Sequence, residues 1–300
     1  MTHSELASWA DGQCKQAILE FVDATCSPGS TQYVEPENRI AVFDNDGTLW
    51  VEKPMNTQVT FIWDSFNLHP AASTEHHSFL GKLKDSFEHT VNDVMDDMHK
   101  LFGYAHEGLT TSQYRQHVID WISTAQHPRF HCLYTKTAYQ PMLEVLQLFH
   151  KNQFKCFIVT GGTSDFVRPW SPDIYGIDSQ CIIGSSLRTA LGNQGSELCL
   201  TLEPIPFYFD DGPAKVRAIE RVIGKQPIAA FGNSHGDREM LQWTSQVPNT
   251  LSMLIHHTDE VREYAYSPDP LWDLGTSTLE MAKQHGWHVM DMKQDWLKIF

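Results

Sequence analysis

The residues best suited to chemistry are Asp44 and Asp46, which close the apolar run Ile40-Ala41-Val42-Phe43 and run into Gly47 and Thr48. A strand points residues i and i+2 to the same side, so the two carboxylates converge at a strand's carboxyl end, where open α/β sheets bind ligands. Carboxylates this close repel unless a cation or a shared proton relieves them. The pair therefore suits a divalent metal together with acid–base or nucleophilic work. Asp, Asn and Gly also build ordinary turns, and a helix-capping turn would use the same residues.

Three further polar turns can face the same edge. Thr160-Gly161-Gly162 follows Cys156-Phe157-Ile158-Val159 and supplies a hydroxyl and an amide-rich bend for an anion at a helix start, or simply a strand-to-helix turn. Asp210-Asp211-Gly212-Pro213-Ala214-Lys215 puts Lys215 at the start of a helix, where a lysine can equally be solvated. After Ile228-Ala229-Ala230-Phe231 comes Gly232-Asn233-Ser234-His235-Gly236-Asp237, in which Asn233 and Asp237 are oxygen ligands of the kind Mg²⁺ takes, within a turn rich in Asn and Gly.

The elements that must position these loops alternate. An amphipathic helix is predicted over residues 8–24, with Trp9, Ala17, Ile18, Phe21 and Val22 on one face. Short apolar strands are predicted at 40–43, 156–159, 181–183, 198–202, 228–231 and 252–255, and helices at 143–150, 215–223 and 238–243. Such alternation predicts an α/β fold with a Rossmann-like, doubly wound parallel sheet. Between about 53 and 150 the pattern changes: Phe61, Ile62, Phe66, Phe79, Leu83, Phe87, Val91, Val94, Met98, Leu101, Tyr114, Val118, Trp121 and Ile122 recur at helical spacing. This block reads as an α-helical insertion without a strand.

A formal charge of −15 argues against nucleic acid or an anionic membrane as a general partner, so an anionic ligand must be drawn by a few local cations, amides and a metal. No apolar run reaches the roughly 18–20 residues that span a bilayer, and the start shows no basic region followed by an apolar stretch. A cytoplasmic protein is the expectation. The six cysteines are scattered without a Cys-x-x-Cys pair, which fits free thiols. The sixteen histidines, His76-His77 among them, read as ordinary surface or core residues; His256-His257, just past a strand, can stand at the site's rim or play an ordinary loop role.

Taken in order, Asp44-x-Asp46-Gly47-Thr48, Thr160-Gly161-Gly162, Lys215 and Gly232-Asn233-Ser234-x-Gly236-Asp237 resemble the four motifs of the haloacid dehalogenase-like (HAD) superfamily of phosphatases. Phe166-Val167-Arg168-Pro169-Trp170, Ile183-Gly184-Ser185-Ser186 and Val289-Met290-Asp291-Met292-Lys293-Gln294-Asp295-Trp296 are similar to its phosphoserine phosphatase-like bacterial branch. The resemblance implies a core domain from residues 1–51 and 151–300, with a helical cap domain, 52–150, inserted after the first motif. It implies a Mg²⁺-dependent phosphatase acting on a small-molecule phosphate monoester, with Asp44 as nucleophile and Asp46 as general acid and base. Thr160, Gly161 and Lys215 would bind the phosphoryl group. Asp44, Asp46, Asp237 and Asn233 would hold the metal, with Asp237 as the direct carboxylate because Asn233 stands where many relatives have an acid. Glu52 would read a cationic substrate group and Arg168 would grip a phosphate or carboxylate. The same machinery serves a phosphotransferase or mutase, and a non-catalytic phosphate-binding protein could keep the fold. Relatives in this branch are often exported, which makes the periplasm the alternative location.

Overall fold

The computed structural model describes residues 5–68, 107–270, 273 and 275–300. The expected positions from Phe79 to Leu101, and His76-His77, lie outside them. Among the described residues seven strands form one sheet: β1 Ile40–Phe43, β2 Lys155–Thr163, β3 Ile182–Gln194, β4 Glu197–Tyr208, β5 Ala229–Gly232, β6 Leu251–His256 and β7 His288–Asp291. Their spatial order is β4-β3-β2-β1-β5-β6-β7, every pairing parallel except the antiparallel β3–β4. The chain winds outward from β1 through β2 and β3, then returns to place β5 on β1's other side. That reversal makes a crevice at the carboxyl ends of β1 and β5, the place where doubly wound sheets bind ligands.

Register fixes what emerges there. Phe43 lies level with Ile158 of β2 and Phe231 of β5, so Asp44, the Thr160 turn and Asn233 leave the sheet at one edge. β1 and β5 are buried along their whole length, as strands covered on both faces must be. Phe43 stacks on Phe231, with ring centroids 4.6 Å apart. On one face α1 (Gln13–Cys26) brings Phe21 against Phe149, and Phe149 also meets Phe43 and Phe231 edge-on. Burying three such rings anchors β1 and β5 at the level where the loops begin.

Phe149 belongs to the helix Gln140–Lys151, which packs on β2. The end of the stretch expected as insertion thus lies against the sheet. Earlier in that stretch come the helices α2 (Thr57–Leu68) and α3 (Thr111–Ile122), which is closed by a capping box between Thr110 and Gln113; α4 denotes Gln140–Lys151. The short turns α5 (Ser164–Val167) and α6 (Ser171–Tyr175) follow β2. The second helical layer holds α7 (Pro213–Ile223), α8 (Arg238–Ser245) and α9 (Thr278–His285).

The hairpin β3–β4 is longer than the strands expected at 181–183 and 198–202, and β7 was not expected as a strand. The reason is composition: beyond Ile183 the ribbon reads Gly184-Ser185-Ser186-Leu187-Arg188-Thr189, mostly half-buried or exposed, and β7 is a half-exposed edge. Neither carries an apolar run. None of the described helices is long and apolar enough to cross a membrane.

Candidate active site

Asp44 follows β1 directly, and its amide donates to Phe231 O at 2.9 Å, which ties the start of the loop to β5. Its Oδ1 receives Lys215 Nζ at 2.7 Å, and the same ammonium reaches Asp237 Oδ1 at 2.7 Å. Lys215 is 2% exposed because it stands on the first turn of α7, whose inner face is buried. A solvated lysine is therefore ruled out at this position. Burial works against its ammonium, but the carboxylates of Asp237, Asp44 and Asp211 outweigh that and raise its pKa. Burial, then Asp237, push the Asp44 carboxyl well above its ordinary range, against the pull of Lys215. One ammonium leaves the carboxylates undercompensated.

Asp46 is placed differently. Its Oδ1 accepts from Trp50 Nε1 at 2.8 Å, and burial, opposed by Trp50 and assisted by Glu52, pushes its carboxyl up to about 6. A Cβ on Gly162 would lie 3.8 Å from Asp46 Oδ2, 3.3 Å from Thr160 Oγ1 and 3.1 Å from Gln58 Oε1. Those three groups therefore surround one small space floored by glycine backbone. The Thr160 turn is a bulge inside β2 rather than a turn beyond it: Thr160 pairs with Gly184 and Thr163 with Ser185, leaving Gly161 and Gly162 extra. Thr160 Oγ1 accepts from Gly162 N at 3.0 Å, and Ser185 Oγ donates to Gly161 O at 2.7 Å.

The fourth loop places Asp237 and Asn233 differently. Asp237 is fully buried and both its oxygens are employed: Oδ1 takes Lys215, and Oδ2 accepts from the amides of Asn233 and Ser234, each at 3.0 Å, and from Ser234 Oγ at 3.1 Å. It is built to hold Lys215 and the loop. Asn233 is the residue that approaches Asp44, since the Thr48 hydroxyl lies 3.2 Å from both Asp44 Oδ2 and Asn233 Oδ1. Two oxygens converging on one hydroxyl, beside an undercompensated carboxylate, form a hard-oxygen donor set that suits Mg²⁺. Gly47 permits the approach: its φ is +79°, and a Cβ there would fall 2.1 Å from Asn233 Nδ2.

Of the two expected substrate contacts, Glu52 lies beside Gly47 and the fourth loop, whereas Arg168 does not reach the site. Glu52 Oε1 accepts from Asn233 Nδ2 at 3.3 Å, so its carboxylate is turned to the fourth loop. The Arg168 guanidinium donates to the carbonyls of Ser179 and Ile182 and faces Asp165 at 3.9 Å. It braces the start of β3 and is not brought to Asp44.

Sequence reasoning missed several residues around the site. Gln58 from α2 is buried and bonds to the bulge, accepting from Thr163 N at 2.7 Å and donating to Thr163 Oγ1 at 2.6 Å. Tyr175 donates to Asn45 Oδ1 at 3.1 Å. His257, for which a place at the site's rim is the lesser of two readings, is buried with Nε2 2.8 Å from Gly47 O. No local pattern marks these contacts, because each joins segments more than 100 residues apart. In a separate group of His235, Asp269 and Asp273, Arg238 bridges the two carboxylates at 2.6 Å and 2.9 Å.

The fold matches known structures. A conserved, functionally unknown protein from Anaerococcus prevotii DSM 20548 superimposes with a TM-score of 0.54 at 16% identity, over 85% of this chain and 91% of that one. A protein of unknown function from Bordetella pertussis Tohama I gives a TM-score of 0.50 at 14% identity, over 85% of this chain and 99% of the other. A phosphoserine phosphohydrolase-like protein from Francisella tularensis subsp. tularensis SCHU S4 is matched more loosely, with a TM-score of 0.38 at 18% identity over 68% and 82% of the two chains. No curated protein matches the sequence. The sequence profile of the haloacid dehalogenase-like hydrolases matches residues 41–242, a span that includes every loop described above except the one carrying His257. The chain belongs to the haloacid dehalogenase-like hydrolase family.

Proposed function

We propose that the protein is a Mg²⁺-dependent phosphatase that hydrolyses a small-molecule phosphate monoester through a phosphoryl group carried on Asp44. The observation that carries this reading is the buried chain Asp44–Lys215–Asp237, with 2.7 Å at both links, set beside a second carboxyl raised to about 6. The two carboxyl groups, two residues apart, thus have different partners, an ammonium on Asp44 and an indole N–H on Asp46, which supports giving them different tasks.

An oxygen of Asp44 attacks phosphorus, and the ester oxygen leaves with the proton of Asp46. The Asp46 carboxylate then takes a proton from water, whose oxygen attacks the same phosphorus. Phosphate departs and Asp44 is restored. Thr160 Oγ1 already accepts from Gly162 N, so its own hydrogen is available to a phosphoryl oxygen. Lys215 and the amides near Asn45, Asp46 and Gly161 complete the cradle, in a reaction that depends mainly on positioning and electrostatics. Asp44, the Asp46 carbonyl and Asn233 Oδ1 would hold Mg²⁺, and Asp237 acts behind them through Lys215. When bound, the ion would supply the positive charge that one ammonium does not.

The part of the insertion that precedes α4 would serve as a cap over the site that selects the alcohol, with Gln58 as one of its fastenings to the bulge. The test is phosphate release across a panel of small phosphate monoesters, with and without Mg²⁺ and with and without an added alcohol. Free phosphate should dominate. A phosphorylated alcohol as the main product would make the protein a phosphotransferase, and failure to turn over any ester would leave a phosphate-binding protein.

A further inference from the structure

We propose that His257 and Glu263 form a buried positioning dyad that holds the Asp44–Gly47 loop in its working shape, an inference that rests on the phosphatase reading for its kinetic consequence. Both residues come from the segment after β6 and both are buried: Glu263 is 0% and His257 3% exposed. His257 Nε2 lies 2.8 Å from Gly47 O and His257 Nδ1 lies 3.2 Å from Glu263 Oε2. The ring stacks on Tyr266 at 4.2 Å, which fixes its plane.

The protonation follows from the partners. A peptide carbonyl only accepts, so Nε2 carries a hydrogen. Glu263 is surrounded by donors: Tyr139 OH reaches Oε1 at 3.1 Å and the Tyr264 amide reaches Oε2 at 2.6 Å. With both oxygens also held by these donors, Glu263 Oε2 stays 3.2 Å from Nδ1 and a proton bridges the two. The dyad is a buried histidine–carboxyl pair whose outward N–H is directed at Gly47 O.

Gly47 is the residue whose backbone this bond controls. Its φ of +79° turns the chain between Asp46 and Thr48, its amide donates to Trp50 O at 2.8 Å, and the Leu49 amide returns to Asn45 O at 2.8 Å. Anchoring the Gly47 carbonyl fixes the peptide that follows Gly47 and, with the Gly47 amide held by Trp50 O, constrains the peptide that carries the Asp46 carbonyl. Tyr139 ties the arrangement together twice, since its hydroxyl holds Glu263 and its amide donates to Leu49 O at 2.9 Å. His257 touches neither Asp44 nor Asp46 and acts through the peptide between them and Thr48.

The test uses the full-length protein. His257→Gln keeps an amide N–H near the Nε2 position, whereas His257→Leu removes the donor. With a substrate found in the phosphatase panel, His257→Leu should lower kcat about tenfold to a hundredfold with KM changed by less than about threefold, the signature of displaced reacting groups. His257→Gln should recover most of the loss, and thermal unfolding should show both variants folded. An unchanged kcat in a folded His257→Leu variant, or equal losses in Leu and Gln, would overturn the proposal. A second readout is independent of turnover: ¹⁵N NMR of histidine-labelled wild-type protein at neutral pH, with His257 assigned from the signals lost in His257→Gln. Nε2 should appear protonated, and the Nδ1 signal should change in Glu263→Gln. A bare Nε2 in the wild type, or an Nδ1 signal unmoved by Glu263→Gln, would overturn the dyad even if the protein is a phosphatase, and the opposite pair of results would uphold it even if no ester is turned over.

Discussion

Replacing Lys215 by Met tests the electrostatic design of the site. The ammonium is 2% exposed and lies 2.7 Å from each of two carboxylates, whose side chains are 8% and 0% exposed. Methionine fills the space but leaves Asp44 and Asp237 facing each other without a cation. Removing one partner of a buried pair costs about 3–5 kcal/mol. At ~2–4 °C per kcal/mol for chains of this size class, the melting temperature should fall by about 10 °C. The sign with pH follows: unpaired buried carboxylates have raised pKa values, so stability is present in acid and lost as pH rises, and the deficit of K215M should shrink on acidification. In K215M/D237N only Asp44 remains uncompensated, and about 1–2 kcal/mol should return. Denaturant unfolding of the wild type, both single variants and the double variant, at acidic and neutral pH, measures all of this. A K215M protein within about 1 kcal/mol of wild type at neutral pH, or a deficit independent of pH, would refute the reasoning.

Chelation by EDTA should abolish turnover and added Mg²⁺ should restore it, read by phosphate release; activity indifferent to chelator would remove the metal from the account. Asp210 is fully buried with neither carboxylate oxygen hydrogen-bonded among the described residues, and burial pushes its carboxyl from 3.8 to about 6. The stability it contributes below about pH 4 is lost as pH rises through 6, so the difference in unfolding free energy between wild type and D210N should change by roughly 3 kcal/mol between pH 4 and 8. G47A would set a Cβ 2.1 Å from Asn233 Nδ2 at a φ of +79°, and should cost at least ~1–2 kcal/mol and most of kcat. A fully active G47A would show that the loop has other workable shapes.

What the sequence reveals divides along physical lines. The strands at 40–43 and 228–231 and the residues that follow them are legible because each is a local pattern, an apolar run ended by polar residues. The alternation also makes the parallel sheet legible. The strands expected at 181–183 and 198–202 overlap β3 and β4, but the full length of that ribbon is not legible, since its part half open to water carries no apolar run, and β7 at the edge is hidden for the same reason. Lys215 is ambiguous in the sequence, and only the burial of the first turn of α7 distinguishes a salt-bridged lysine from a solvated one. The separate tasks of Asp237 and Asn233 are likewise a matter of which oxygen meets which hydrogen, a detail that spacing does not encode. His257, Glu263, Gln58 and Tyr175 owe their places to long-range packing. Arg168 shows the converse: a residue type suited to anions can be consumed by nearby backbone carbonyls.

The most direct test of the central claim is to look for the phosphoryl group on Asp44. Protein mixed with a turned-over ester, quenched in acid and digested, should yield a phosphorylated peptide containing Asp44. D44N should remain folded, carry no label and release no phosphate. Turnover that survives in D44N, or a label on any other residue, would contradict the account.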